Sequence, residues 1–363
     1  MARSQKLKVI DLFAGAGGMT LGFRNAGFNP IFAVEKEEDF AETYAANFGD
    51  HIDSRPIEEV VNDPKVKKLR ADIVVGGPPC QGFSNLGPNR KDDPRRAMWN
   101  YYMDIVESSK CKMFLMENVP NLLTSEEGDA IRNRALELGF WISSGVLLAS
   151  NYGVPQNRRR AFIIGSKFGM IDLPVGDAQN KMTVRQAFKG IPRKPTVTEF
   201  KRTVKPVPTR RLHIARNPTE LSLKRYALIP PGGNRFDLQR LAPELTPDCW
   251  IRKTKGGTDL FGRIEWNGPA RCTIRTEFYK PEKGRFLHPS EDRPITHWEA
   301  ARLQTFPDDF LWCGTKIRIA IQIGNAVPPK LAEELAKHIK RHFSQNTKPK
   351  KRKRSTKKRV SAS

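Results

Sequence analysis

Cys80 lies in the segment GGPPCQGFS (76–84), directly after the apolar run ADIVV. Most cysteines are small buried hydrophobes. Here two glycines and two prolines precede the thiol and a polar Gln81 follows, so the loop is rigid and exposed, and it suits a nucleophile better than a core residue. The segment ENV (117–119), followed by Pro120, puts Glu117 at the end of a second apolar run. A carboxyl that loses solvent there can donate a proton near neutral pH, the alternative being an exposed strand-end acid. In NYGVPQNRRRAFIIG, Gln156, Arg158 and Arg160 lead into a third run. Alternate positions of an extended segment share a face, which points Arg158 and Arg160 into one cleft and Arg159 elsewhere. The plain alternative is a solvated charge run.

A second group of residues suits a nucleoside-containing ligand. In DLFAGAGGMTLGF (11–23), Gly15, Gly17 and Gly18 allow a tight turn and close approach of a ligand, and the segment lacks the GK[ST] ending of a phosphate-gripping loop. Glu35 closes the next apolar run, where a carboxylate can accept hydrogen bonds from ribose hydroxyls. Asp53 could meet an adenine amino group, although a surface acid explains it equally well. In RPITHWEAARLQTFPDDF (293–310), Glu299 and Arg302 share a helical face and are read as bracing the fold.

These residues need a scaffold, and the first 170 positions supply one. Short β-branched runs (7–13, 30–35, 71–77, 111–118 and 161–166) alternate with helical patterns (Gly18 to Ala26, Glu37 to Asn47, Trp99 to Ser108, Asp129 to Leu138). That alternation predicts a doubly wound, Rossmann-like α/β sheet whose strand ends carry the site. We expect a catalytic and cofactor-binding domain over 1–180 and a small, irregular domain of loops and short strands over 181–290. Residues 291–344 should return to the large domain, and 345–363 should form a disordered basic tail.

Charge follows the same division. Of a net +24, residues 185–290 hold 23 Lys/Arg against 9 Asp/Glu, and 345–363 hold nine Lys/Arg and no acid. The remainder is almost neutral, so a polyanion is the expected partner of the two basic segments. Five scattered cysteines with no CxxC pair argue against a disulfide framework and a zinc site, and no metal is expected. The N-terminal residues hold no apolar run of signal length, and no segment reads as a membrane span. A cytoplasmic protein is expected, or a nuclear one if the host is eukaryotic, where PKKRKR would act as an import signal.

Together DLFAGAGG, GGPPCQGFS, ENV, QNRRR, RPIT..EAARLQTFPDDF and GNAVPP, in that order, resemble the DNA (cytosine-5) methyltransferase family of bacterial restriction-modification systems. The resemblance covers the chain apart from its tail. It implies S-adenosylmethionine as methyl donor, double-stranded DNA as partner, and a flipped-out cytosine attacked at C6 by Cys80. Glu117 would assist at N3, and Arg158 and Arg160 would hold the base. Phe13, Gly15, Gly17, Glu35, Asp53, Asn325 and Ala326 would contact the cofactor, although Lys36 stands where relatives often carry an apolar or aromatic residue. Gln81, Ser84 and Thr273 would face DNA, with Thr273–Ile274 near the flipped base and a closing loop running through Asn89 and Arg96. Region 181–290 takes the place of the target-recognition domain. A monomer is expected, since one unit flips one base. Two rivals are an RNA cytosine methyltransferase of the same fold, disfavoured by the large basic domain, and a silent DNA-binding protein, disfavoured by the complete Cys80, Glu117 and Arg158 set.

Overall fold

β-Branched runs become the centre of a seven-stranded sheet of order β3-β2-β1-β4-β5-β7-β6. The strands are β1 (Lys8–Leu12), β2 (Asn29–Val34), β3 (Ile52–Asp53), β4 (Ile73–Gly76), β5 (Met113–Asn118), β6 (Trp141–Leu148) and β7 (Arg159–Ser166). Strands β1 to β5 run parallel, while β7 is antiparallel to both β5 and β6. The computed structural model describes residues 6–79, 98–196, 200, 203–214, 216–252 and 255–347. Cys80, Gln81, Ser84, Asn89, Arg96 and residues 348–363 lie outside the described residues, whereas 345–347, expected to open a disordered tail, continue the helix Pro329–Thr347.

Both faces of the sheet are covered, as continuous apolar strands require. Val9, Ile73, Val75, Met113, Leu115, Phe162 and Ile164 pack against Met19 and Phe23 of helix Gly18–Asn25 and against Leu331, Leu335, Ile339 and Phe343 of helix Pro329–Thr347. The last four recur every fourth residue and so form one stripe. On the other face, Ile10, Leu12, Val74, Phe114, Met116 and Ile163 meet Tyr102, Ile105 and Val106 of helix Met98–Ser108 and Ile131 and Ala135 of helix Glu126–Glu137. The expected doubly wound α/β sheet is therefore present. Strand β6 has no counterpart in the sequence reading. Ser143, Ser144 and Gly145 dilute its pattern, and as an edge strand it buries only part of its length.

The middle region differs from the expected loops and short strands. It forms helices Glu220–Ala227 and Arg235–Leu241 and the single turn Asp248–Ile251. Among the described residues of 181–290 the one strand of a sheet, β8 (Thr203–Pro208), pairs with β9 (Leu311–Gly314) of the returning segment. These helices are shorter than the window over which a helical period registers, and their start signals are caps. Thr219 caps the first, and Asn234 with Asp237 forms a capping box on the second. Tyr226, Ile229, Leu238, Trp250, Phe261 and Leu287 give this region a small core. Its flanks, including Leu212, Ile264, Ile274 and Phe286, share a core with Leu303, Phe306, Trp312 and Ile319 of the returning segment.

Loops without a β-ladder must satisfy their carbonyls in some other way. Three buried arginines do this. Arg263 donates to the carbonyls of Tyr226, Ile229, His288 and Glu291 and pairs with Asp292. Arg285 donates to the carbonyls of Gly232, Gly233, Thr258 and Arg263. Arg235 donates to those of Trp250, Gly256 and Gly257. Part of the positive surplus that the sequence assigns to a polyanion thus belongs to the interior frame.

Candidate active site

Strands β1, β4 and β5 end at one edge of the sheet, and β7, being antiparallel, begins there. The order reverses between β1 and β4, which opens the crevice where such sheets bind ligands. Four features of the sequence meet at this edge.

The loop after β4 is held against the end of β5. A Cβ on Gly77 would lie 2.8 Å from Glu117 Oε2, so a side chain here would push the Glu117 carboxylate from its place. Asn118 Nδ2 donates to the Pro78 carbonyl at 3.0 Å, and its Oδ1 accepts from the Val119 N–H. The sequence reading passes over Asn118. Its signal was a carboxamide ending an apolar run, since a buried amide needs partners.

Glu117 is paired rather than merely stripped of solvent. Its Oε1 lies 3.0 Å from Arg160 Nε. Glu117 stands opposite Phe162 in the antiparallel ladder, so Arg160, two positions away, is its diagonal neighbour on the same face. Arg159 is exposed, as alternation requires. Arg158 has a different commitment. It is 1% exposed, and its guanidinium donates to the carbonyls of Ile274 (3.1 Å), Gly324 (3.1 Å) and Asn325 (3.3 Å). Thr273 lies beside this joint, its Oγ1 3.5 Å from the Asn157 carbonyl. Glu299, read as a brace, is buried and receives a forked pair from Arg293 at 2.9 and 2.8 Å. Arg302 likewise grips Asp308.

On the other side of the crevice, Phe13 has φ 57°, an uncommon left-handed geometry for a bulky residue. Gly15 has φ 56° and open space where a side chain would stand, whereas a Cβ on Gly17 would lie 2.3 Å from the Phe48 ring. The two glycines therefore differ in purpose. Gly15→Ala is expected to weaken S-adenosylhomocysteine binding with a modest loss of stability. Gly17→Ala should lower stability by ~2 kcal/mol or more through overpacking and its positive φ. Isothermal titration and urea unfolding of the two variants separate these effects, and equal losses of affinity and stability in both would refute the distinction.

The buried Glu35 carboxylate accepts from the Gly15 N–H through Oε2 and the Glu37 N–H through Oε1, each at 2.9 Å. Burial pushes its pKa up. One lone pair on each oxygen still remains for a ribose hydroxyl. A Cβ on Gly18 would lie 2.4 Å from the Val327 carbonyl and 3.4 Å from Ala326 Cβ, which brings the segment 325–327 to the same loop. Asn325 is exposed there. Asp53 is next to Glu35 through the Glu35 N–H to Asp53 carbonyl bond, but both of its carboxylate oxygens are engaged by Arg55. Hydrogen bonding from Arg55 holds its pKa low. A carboxylate with spare lone pairs, an open glycine turn and the 325–327 segment fit a nucleoside with free ribose hydroxyls.

Beneath this loop, Asp11 is buried and its Oδ2 accepts from the Thr20 N–H (3.1 Å) and hydroxyl (2.6 Å). Burial raises its pKa from 3.8 to about 7. The folded protein therefore holds this proton more tightly than the unfolded chain, so the group's stabilising contribution is present below about 3.8 and lost as pH rises through about 7. Asp11→Asn should remove that slope. Urea unfolding of parent and variant between pH 4 and about 7.5 measures it, and parallel pH profiles would refute the assignment.

Comparison with known proteins agrees with this architecture. Residues 7–341 match the family model C-5 cytosine-specific DNA methylase. The type II methyltransferase M1.HphI of Haemophilus parahaemolyticus is 34% identical over 344 residues, covering 92% of this chain and 86% of that protein. M.AgeI of Thalassovita gelatinovora is 30% identical over 428 residues, covering 92% and 99% respectively. A solved structure from an E. coli prophage, described as a DNA modification methyltransferase, superposes with a TM-score of 0.71 at 26% identity, covering 93% of this chain and all of that one. The chain belongs to the C-5 cytosine-specific DNA methylase family and is a DNA cytosine-5 methyltransferase. Among the described residues, no helix is long and apolar enough to cross a membrane.

Proposed function

We propose that the protein methylates C5 of a flipped-out cytosine within a specific duplex sequence, as the modification half of a type II restriction-modification system. The observation that carries this reading is the convergence of Gly77, Pro78, Glu117, Asn118 and Arg160 at one strand edge. Cys80 follows two residues after Pro78 in the chain and is assigned as the nucleophile from its place in the GGPPCQGFS segment. Cytosine C5 is a weak nucleophile, and addition of the Cys80 thiolate to C6 makes it enamine-like. Glu117 then donates a hydrogen bond or proton to N3 of the ring, and Arg160 fixes the side chain for that contact. Once C5 carries the new methyl group, loss of its proton and expulsion of Cys80 restore the aromatic ring. Because C6 is inaccessible in a stacked duplex, the base must leave the helix, at a cost of a few kcal/mol offset by protein contacts.

S-adenosylmethionine, the donor that the family implies, supplies an electrophilic sulfonium methyl group. Glu35 would hold its ribose, with Phe13, Gly15, Asn325 and Ala326 around it. Gly17 would act by shaping the turn, and Asp53 through the lone pairs that Arg55 leaves. Gln81, Ser84 and Thr273 are assigned to the DNA side, and residues 181–290 to target recognition, with a single copy of the chain acting on each site. Bisulfite sequencing of DNA from bacterial cells expressing the protein tests the reading. Full conversion blockage at the cytosine of one short sequence is expected. Unmodified DNA together with 5-methylcytosine in transfer RNA would overturn it in favour of an RNA enzyme.

A further inference from the structure

Two buried glutamines, neither assigned a role above, form a directed chain of hydrogen bonds across the molecule. Gln156 Oε1 accepts from the Ile274 N–H at 3.0 Å, which fixes its amide so that Nε2 must donate. Nε2 donates to the Leu303 carbonyl at 2.8 Å and to Gln304 Oε1 at 2.7 Å. Gln304 is oriented in turn, and its Nε2 donates to the carbonyls of Ile323 (2.5 Å) and Ala326 (3.3 Å). Both glutamines are fully buried. One end of the chain holds the backbone beside Thr273, and the other holds the backbone at Ala326.

We infer that Gln304 is a positioning residue that couples the base-side segment 273–274, through Gln156, to the cofactor-side segment 323–326. Every polar group in the chain is satisfied by the next, so breaking one link leaves buried partners unpaired and frees both ends. Gln156 makes no described hydrogen bond to Ile323 or Ala326. Its hydrogen-bonded routes to that segment are Gln304 and, through Ile274, the Arg158 bridge to Gly324 and Asn325, and the double variant separates the first from the second. The inference rests on the reading that Asn325 and Ala326 line the cofactor pocket.

The test uses the full-length protein, isothermal titration with S-adenosylhomocysteine, and amide hydrogen exchange over 270–276 and 323–326. Methionine keeps the volume and removes the hydrogen bonds. Gln304→Met and Gln156→Met should each weaken S-adenosylhomocysteine binding ~5-fold or more, and the double variant should bind no more weakly than Gln304→Met. Gln156→Met should also speed amide exchange over 323–326. Multiplicative losses in the double variant, or Gln156→Met with parental affinity and parental exchange over 323–326, would overturn the coupling. If Gln304→Met does not fold, Gln156→Met alone decides through the same two readouts. Asn325→Ala separates the underlying reading: parental affinity in that variant removes segment 323–326 from the cofactor pocket, and amide exchange in Gln156→Met then decides the coupling by itself.

Discussion

Replacing Cys80 with alanine is expected to abolish methyl transfer, by at least ~10⁴-fold in turnover, while S-adenosylhomocysteine and duplex DNA still bind. No other described group near Glu117 can add to C6: Arg160 is a cation, Asn118 an amide, and the remaining cysteines are distant in role. Cys111 and Cys272 are buried, and burial pushes their thiols up to about 11 and about 12, so neither offers a thiolate near neutral pH. Transfer of a labelled methyl group to plasmid DNA, followed by denaturing electrophoresis of the enzyme on 5-fluorocytosine DNA, provides the measurement. Turnover within ~10-fold of the parent would remove Cys80 from its role, as would a stable protein–DNA adduct in the variant.

Arg158→Lys is expected to cost ~3 kcal/mol or more in stability, because the carbonyls of Ile274, Gly324 and Asn325 lose a shared donor and each unpaired buried group costs ~1–3 kcal/mol. Lysine cannot reproduce a planar fork reaching three acceptors. The exposed Arg159→Lys should stay within ~0.5 kcal/mol of the parent. Arg160→Lys should lose turnover with little loss of stability, since its partner Glu117 belongs to the proposed reaction. Urea unfolding beside initial rates distinguishes the three. Unchanged stability with lost turnover in Arg158→Lys would show that its guanidinium serves the substrate rather than the joint.

The sequence exposed those parts of the fold governed by strong, regular patterns. Four parallel strands with continuous apolar runs and the helices between them lie within a few residues of their expected places, because burial on both faces leaves little choice of residue. Strand β6 was illegible, since an edge strand tolerates serine and glycine. The helices of the middle region were too short to show a period. At the site, the pairing of Glu117 with Arg160 followed from facts that spacing does not carry: the antiparallel entry of β7 and the register that sets Glu117 opposite Phe162. Alternation correctly separated Arg159 from its neighbours but could not show that Arg158 turns to three carbonyls. Asn118 and Gln304 were hidden for the same reason, as their partners lie far away in sequence.

If residues 181–290 read the target, as proposed above, the arginine forks of the middle region bear on how this enzyme would change it. Arg235, Arg263 and Arg285 hold the surrounding loops by main-chain carbonyls, which every residue type possesses. Outward-facing side chains on those loops thus have little duty in keeping the backbone in place. Specificity could drift through substitutions at such positions while the three arginines persist, and a library randomised there should retain folding far more often than one randomised at the arginines themselves.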